Sequence, residues 1–362
     1  MPKLPLVSSP DAVTPGWLTD VLHVAGIGAD ARVAAIPRRE RIGTGQMASS
    51  VRFALAWEGD AAGAPASLVG KFPSDDPISR GTGSEQGGYR KEVEFYRRIA
   101  PTVDVRTPRI FHAAIDDAGK DFVLLMEDLS GSEQGDQLAG CTLDEAALAI
   151  DEAAKLHAPR WGDPELVGFD FLGGAPGQHA PLLAQIYGAL WPGFESRYAD
   201  RLDPEVMALS DRLRERIGRW ADALDTPHTV AHGDFRLDNL LFGRGPGAPP
   251  IVVVDWQTVA CGRGAADVAY FLGGSLPLES RRREEERLVR EWWDALRARG
   301  VDGYAWDACW RDYRHCTYGG LVMAVVASQI VVQTDRGDEM FLAMAEGAGR
   351  HAIDLEAEKL LG

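Results

Sequence analysis

The chain has 362 residues, 45% of them hydrophobic and 25% charged, enough for about two or three domains whose cores need no disulfide or structural metal. A formal net charge of −16 weighs against a nucleic acid or an anionic membrane as the main partner, while leaving room for a small basic pocket. Cys141, Cys261, Cys309 and Cys316 show no zinc-like spacing, and neither a signal peptide nor a bilayer-spanning apolar run is visible, so a reduced, cytoplasmic protein is expected.

Residues 1–36 read as a short helical lead-in, with Thr14 and Pro15 suited to a helix start and Trp17, Leu18, Val21 and Leu22 at helical spacing. The turn Ile42-Gly43-Thr44-Gly45-Gln46 leads to an alternating strand, Val51–Trp57, and a second short strand covers Ser67–Phe72. A Gly/Ser/Asp-rich loop is expected over Pro73–Gly88, then a helix through Tyr89–Tyr96 that places Val93, Tyr96 and Ile99 on one face and ends at Pro101. Arg109–Ala114 and Asp121–Met126 read as strands around the turn Asp116–Gly119. Beyond the polar stretch Ser130–Gly140 helices dominate. Thr142 with Glu145 is a capping box for a helix to His157, and further helices fit Pro181–Tyr187, Pro204–Ala223, Arg281–Arg299 and Trp306–Gln333. Arg281–Arg287, rich in Arg and Glu, reads as a solvated face. Residues 228–257 form a β-like patch inside this helical part. A β-rich first third thus joins a larger helical part near Glu127–Gly131.

The sharpest feature is His232-Gly233-Asp234-Phe235-Arg236-Leu237-Asp238-Asn239, which contains the only asparagine of the chain. Leu240–Phe242 and Ile251–Val254 read as a hairpin, which would bring Asn239 and Asp255 to its open end. An amide oxygen and a carboxylate there suit Mg²⁺, a hard cation. Asp234, on the loop entering the hairpin, is placed to accept a proton from a hydroxyl nucleophile. His232 is expected to brace the loop. The order Asp-x-x-x-x-Asn…Asp is that of a kinase catalytic loop and metal-binding Asp.

A phosphotransferase also needs a cover for the phosphates, a cation on them and an anchor for that cation. Gly43 and Gly45, between two strands, can bring backbone N–H groups close to phosphates. Lys71, one of six lysines against thirty-two arginines, ends a strand and is the candidate cation. Glu92 lies on the next helix; Glu94 competes for the pairing, but a helix turns it about 200° away, and Glu92 is favoured.

In these residues the chain resembles the aminoglycoside phosphotransferase and choline kinase-like superfamily, nearest its ecdysteroid-kinase-like and hydroxyacyl phosphotransferase branches. The resemblance runs from about Ile42 to the C-terminal helices. It implies an α+β, two-lobed protein-kinase-like fold, with a β-rich nucleotide-binding N-lobe over residues 1–129 and a mainly helical C-lobe over 130–362. It implies ATP or GTP as donor, Mg²⁺, and a small-molecule hydroxyl acceptor. By the same resemblance Asp234 is the catalytic base, Asn239 and Asp255 hold Mg²⁺, Lys71 contacts the phosphates and Glu92 fixes it. Backbone groups of Glu127, Asp128 and Leu129 bind the adenine edge, Arg236 neutralises the transferred phosphoryl group, and Asp267 is structural. Phe235-Arg236-Leu237-Asp238 departs from the Leu-His-Pro-Gly common in antibiotic kinases, and Asp255-Trp256-Gln257 from the Asp-Phe-Gly of protein kinases.

Two other readings compete: a non-catalytic nucleotide- or ligand-binding protein on the same scaffold, and a metal-dependent hydrolase using His232 and Asp234. Intact Lys71, Asp234, Asn239 and Asp255 favour the kinase. Trp191, Phe194, Trp306, Tyr313 and Tyr318 in the helical part suggest a fairly apolar acceptor, and no nucleic acid or membrane partner is expected.

Overall fold

The computed structural model describes residues 4–43, 47–174, 177, 179–222 and 227–361. The chain divides into two compact units. The first comprises residues up to Thr102, Arg106–Gly131 and Val254–Thr258; the second comprises Val103–Val105, Ser132–Val253 and everything from Val259 onward.

In the first unit, strands β1 (Ala31–Ile42), β2 (Ala48–Gly59), β3 (Ser67–Pro73), β4 (Ile110–Ile115) and β5 (Phe122–Glu127) form an antiparallel sheet in the order β1-β2-β3-β5-β4. Helix α1 (Pro15–Val24) starts as expected, with the Thr14 side chain accepting from the Trp17 N–H at 3.2 Å. It lays Trp17, Leu18, Val21 and Leu22 onto one sheet face, against Phe53, Leu68, Phe72, Val123 and Leu125. The helical lead-in stops short of residue 36, because alternating burial over Ala31–Ala34 makes this segment the start of β1.

The period of two in the strands decides what lies on the other face. Phe72 points to the α1 side, so Lys71 points away from it; Val123 and Leu125 likewise leave Phe122 for the opposite face, where it packs on Tyr89 with ring centroids 4.6 Å apart. Tyr89 belongs to α3 (Gly88–Glu94), which continues through a π-turn at Phe95–Ile99 and buries Val93, Tyr96 and Ile99 as its spacing predicts. The expected loop before it contains a helix, α2 (Pro77–Glu85), nucleated by Pro77 at its first turn and by Asp76, whose Oδ1 accepts from the Ser79 N–H at 2.8 Å.

The second unit is mainly helical. The capping box forms at α4 (Leu143–His157), where the Thr142 and Glu145 side chains each accept from the other's backbone N–H. Helix α5 (Ala180–Tyr198) runs well past Tyr187 and carries Pro192 inside it. The single helix expected over Pro204–Ala223 divides into α6 (Pro204–Leu213) and α7 (Ile217–Ala221), separated by a turn over residues 214–216. Short strands β6 (Ser132–Gln134), β7 (Thr229–Ala231), β8 (Leu240–Gly243), β9 (Ile251–Val253) and β10 (Ala260–Gly262) pair as β6-β8-β9 and β7-β10. Helix α8 (Gly264–Ser275) follows, which the sequence reading did not anticipate.

Helix α9 (Leu278–Ala298) carries the Arg/Glu run, but that run is not all solvated. Arg281 is buried, paired with Glu285 at 3.0 Å and with Asp354, so its segment is anchored inward. The expected helix Trp306–Gln333 is two helices, α10 (Trp306–Cys316) and α11 (Gly319–Ile330). Gly319 and Gly320 weaken a continuous helix, and Gly320 permits close packing, since a Cβ there would stand 2.9 Å from that of Ala348. Ala348 lies on α12 (Asp335–Asp354), also unanticipated. Helices α5, α6, α11 and α12 enclose the main core of this unit. Among the described residues no helix is long and apolar enough to cross a membrane.

Gly70 illustrates how tightly β3 is held. A Cβ there would meet the Phe72 ring at 2.6 Å and the Phe53 ring at 2.9 Å. Gly70→Ala is therefore expected to destabilise the protein by about 1–3 kcal/mol through overpacking, read as a lower urea midpoint at unchanged slope.

Candidate functional site

In the first unit the alternation of β3 brings Lys71 under α3. Its Nζ lies 2.8 Å from the Glu92 carboxylate and 3.1 Å from Asp255 Oδ1. Glu92 is 1% exposed and also accepts from Gln257 Nε2 at 3.3 Å. Glu94, the competitor, turns away and pairs with Arg97 at 3.0 Å. Burial alone would lower the Lys71 pKa, but the charges of Asp255 and Glu92 raise it above the ordinary lysine range. The ammonium ion is thus held charged.

Asp255 reaches this cluster because residues 254–258 return to the first unit. It adopts φ +66°, a left-handed conformation costly for a residue with a Cβ. The next side chain fixes it: Trp256 is fully buried and stacks on Phe95, with centroids 3.7 Å apart and planes 8° from parallel. Gly43 follows β1 at φ +74°, whereas Gly45 lies outside the described residues. Glu127 closes β5; its N–H donates to the Arg109 carbonyl at 2.9 Å and its carboxylate pairs with Arg106. Asp128 is held by Arg52 Nε at 2.8 Å and Ser67 Oγ at 2.6 Å, and half-buried Leu129 follows.

In the second unit the loop after β7 is suspended from Asp267, on the first turn of α8. Its Oδ2 accepts from the His232 N–H at 2.7 Å and its Oδ1 from the Gly233 N–H at 3.0 Å. His157 Nε2 lies 3.1 Å from Oδ2, and Trp292 Nε1 donates to His157 Nδ1 at 3.1 Å. Burial would raise the Asp267 carboxyl, but His157 and the loop N–H groups hold it below the usual carboxylate range. His232 Nδ1 accepts from the Asp234 N–H at 3.3 Å, which braces the loop.

The loop places Asp234, Arg236 and Asn239 together. Asn239 Nδ2 donates to the Asp234 carbonyl at 2.8 Å and to Asp234 Oδ2 at 3.0 Å, which leaves its Oδ1 as the atom to offer a cation. Arg236 Nε donates to Asp234 Oδ2 at 3.1 Å and its Nη1 to Asp238 Oδ2 at 2.7 Å. Tyr270 Oη donates to Asp234 Oδ1 at 3.0 Å. Two of these neighbours escaped the sequence reading. Tyr270 sits three residues after Asp267 on α8, a spacing that puts both on the loop side. Gln137 Oε1 accepts from the Leu237 N–H at 3.0 Å, and its position in an aperiodic polar stretch gave no signal.

The aromatic residues expected near an acceptor are elsewhere. Trp191, Phe194 and Tyr318 are packed in the helical core, Tyr313 is buried against His351, and Trp306 stacks on Trp310 beneath Arg290. A small cavity, with room for about one water molecule, lies beside Arg236 and is lined by Gln137, Tyr270, Gly320, Met344 and Ala348, among others. Among the described residues no group of three or more His, Cys, Asp or Glu is placed to hold a metal.

Replacing Lys71 by Met strands a buried carboxylate at Glu92. Lys71→Met is expected to cost about 3–5 kcal/mol, and Lys71→Met/Glu92→Gln to recover most of it. Urea denaturation of the double-mutant cycle measures both, and additive losses would refute the coupling.

Among solved structures, choline kinase from Cryptosporidium parvum is similar at 12% identity and TM-score 0.56, covering 89% of this chain and 90% of that one. Ethanolamine kinase from Plasmodium vivax is similar at 12% identity and TM-score 0.52, covering 96% and 86%. The GDP complex of aminoglycoside 2′-phosphotransferase-IIIa is similar at 17% identity and TM-score 0.51, covering 88% and 94%. At these identities the likeness is one of fold, the α+β protein-kinase-like fold expected from the sequence. A search of curated proteins finds no match. The model of the phosphotransferase enzyme family (APH) matches residues 75–316, well over half of the sequence, and the chain belongs to that family.

Proposed function

We propose that this phosphotransferase moves the γ-phosphoryl group of ATP or GTP to a hydroxyl of a small, largely apolar molecule. The observation that carries the reading is the pairing of one lysine, Lys71, with both Glu92 and Asp255, residues far apart in sequence. A charged, oriented ammonium beside a half-exposed carboxylate is what nucleotide phosphates and their cation require. Family membership supports the reaction class. The related folds of choline and ethanolamine kinases and of a GDP-bound aminoglycoside phosphotransferase support a small-molecule acceptor and a nucleotide donor.

In this reading residues 1–129, with the returning segment Val254–Thr258, bind nucleotide, and the rest of 130–362 supplies the base and the acceptor pocket. Gly43 and Gly45 approach the phosphates, Lys71 binds them, and Glu92 holds Lys71. Backbone groups of Glu127, Asp128 and Leu129 meet the base edge of the nucleotide. Asn239 and Asp255 would hold Mg²⁺, a hard cation suited to oxygen ligands, which would neutralise phosphate charge. The acceptor hydroxyl donates to Asp234. Its oxygen bonds to the γ-phosphorus, the bond to the β–γ bridging oxygen breaks, ADP or GDP leaves, and the hydroxyl proton passes to the Asp234 carboxylate. Arg236, flanked by Asp234 and Asp238, is within this loop to offset charge on the transferred group.

Isothermal titration calorimetry tests the donor site. ATP binding is expected to require Mg²⁺ and to be lost in Asp255→Ala; binding equal in both proteins would remove Asp255 from the site, and absence of binding by either ATP or GTP would sink the kinase reading. With a turnover assay in hand, Asp234→Asn is expected to lower kcat by roughly 10²–10⁴-fold. Wild-type turnover in that variant, with nucleotide binding retained, would instead indicate another base.

A further inference from the structure

A carboxylate that serves as a base needs one oxygen for the hydroxyl it deprotonates. Asp234 Oδ2 already accepts from Arg236 Nε at 3.1 Å and from Asn239 Nδ2 at 3.0 Å. That leaves Oδ1, and there a hydroxyl donor is in place: Tyr270 Oη, at 3.0 Å. The phenol comes from α8, the helix whose Asp267 suspends the same loop, so its approach to Asp234 is fixed by one rigid element. Its ring lies against α11, where a Cβ added at Gly319 or Gly320 would stand 3.8 Å from it, and it lines the small cavity that Arg236 also lines. Burial and the adjacent Asp234 raise the Tyr270 pKa well above the phenol range, so its proton stays on oxygen. Tyr270 thus occupies the reactive oxygen of the base with a hydroxyl that does not react.

We infer that Tyr270 is a positioning residue that keeps water off Asp234 Oδ1 until an acceptor hydroxyl takes that place, and so suppresses transfer of the phosphoryl group to water. This rests on the reading of Asp234 as the base. The suppressed reaction is balanced: a water oxygen bonds to the γ-phosphorus, the bond to the β–γ bridging oxygen breaks, ADP and phosphate form, and one water proton passes to Asp234. Phenylalanine at position 270 would keep the ring packing and remove one oxygen, leaving a water-sized space bordered by a carboxylate oxygen.

The test is release of inorganic phosphate from Mg²⁺ and ATP with no acceptor added, alongside calorimetric ATP affinity, for wild type, Tyr270→Phe, Asp234→Asn and the double variant. Tyr270→Phe is expected to hydrolyse ATP about tenfold faster or more, at unchanged affinity, and the double variant to fall back to the wild-type rate or below. A gain of this kind cannot come from misfolding or from a merely structural tyrosine. An unchanged or lower rate in Tyr270→Phe overturns the inference, as does a double variant that stays fast. If wild type binds Mg²⁺ and ATP and Asp234→Asn lowers its basal rate, those outcomes refute Tyr270 alone. If wild type binds no nucleotide and Asp234→Asn changes nothing, the phosphotransfer reading fails and the role of Tyr270 falls with it.

Discussion

A single buried carboxylate organises the second unit. Asp267 commits both oxygens to the backbone of His232 and Gly233 and draws His157 to its side, which in turn is fixed by Trp292. A loop cannot be rigid through its own side chains alone, because its backbone donors need partners when water is excluded. Here a helix supplies them. The arrangement joins α4, α8 and α9 to one short stretch of chain, and the positions of Asp234 and Asn239 follow from it. A site that acts by positioning and electrostatics depends on such rigidity more than on any reactive group.

The first unit solves the opposite problem, holding a cation where an apolar sheet would exclude it. Lys71 leaves the strand on the face away from the main apolar cluster, and Glu92 compensates its charge in a nearly dry setting. The second carboxylate comes from residue 255, locked by the stacking of Trp256 on Phe95. Aromatic packing thereby keeps a strained backbone, Asp255 at φ +66°, in place. The Trp256 indole that follows Asp255 is fully buried, which makes the segment a fixture of the core.

What could be read from sequence were features governed by local rules. The alternation of Val51–Trp57, the spacing that separates Glu92 from Glu94, the capping box at Thr142 and the hairpin between Leu240 and Val253 all follow from periods of two or 3.6 residues and from cap chemistry. Helices α8 and α12 did not announce themselves. The former is buried almost all round and shows no polar face, and the latter carries Gly337, Gly347 and Gly349, which favour close approach over helix propensity. Gly349, for instance, faces Val206 so closely that a Cβ would stand 2.3 Å from its side chain. The aromatic residues misled for a related reason: composition gives no sign of whether a Trp fills a core or lines a pocket, and Trp191 and Phe194 fill a core. Tyr270 and Gln137 act through tertiary contacts to the loop that no linear pattern encodes.

The return of Val254–Thr258 to the first unit has a consequence for biogenesis. Domains that are continuous in sequence can fold in order as they leave the ribosome, the N-terminal one first. This one cannot finish early. Until residue 258 has emerged, Phe95 lacks the indole that covers it and Lys71 lacks one of its two carboxylates. Most of the sheet is synthesised long before that point, so the nascent first unit must wait with an apolar ring uncovered while more than a hundred residues of the second unit are made. Slow translation between Gly131 and Val254 would prolong that exposure, which makes this stretch the vulnerable interval for chaperone capture or aggregation.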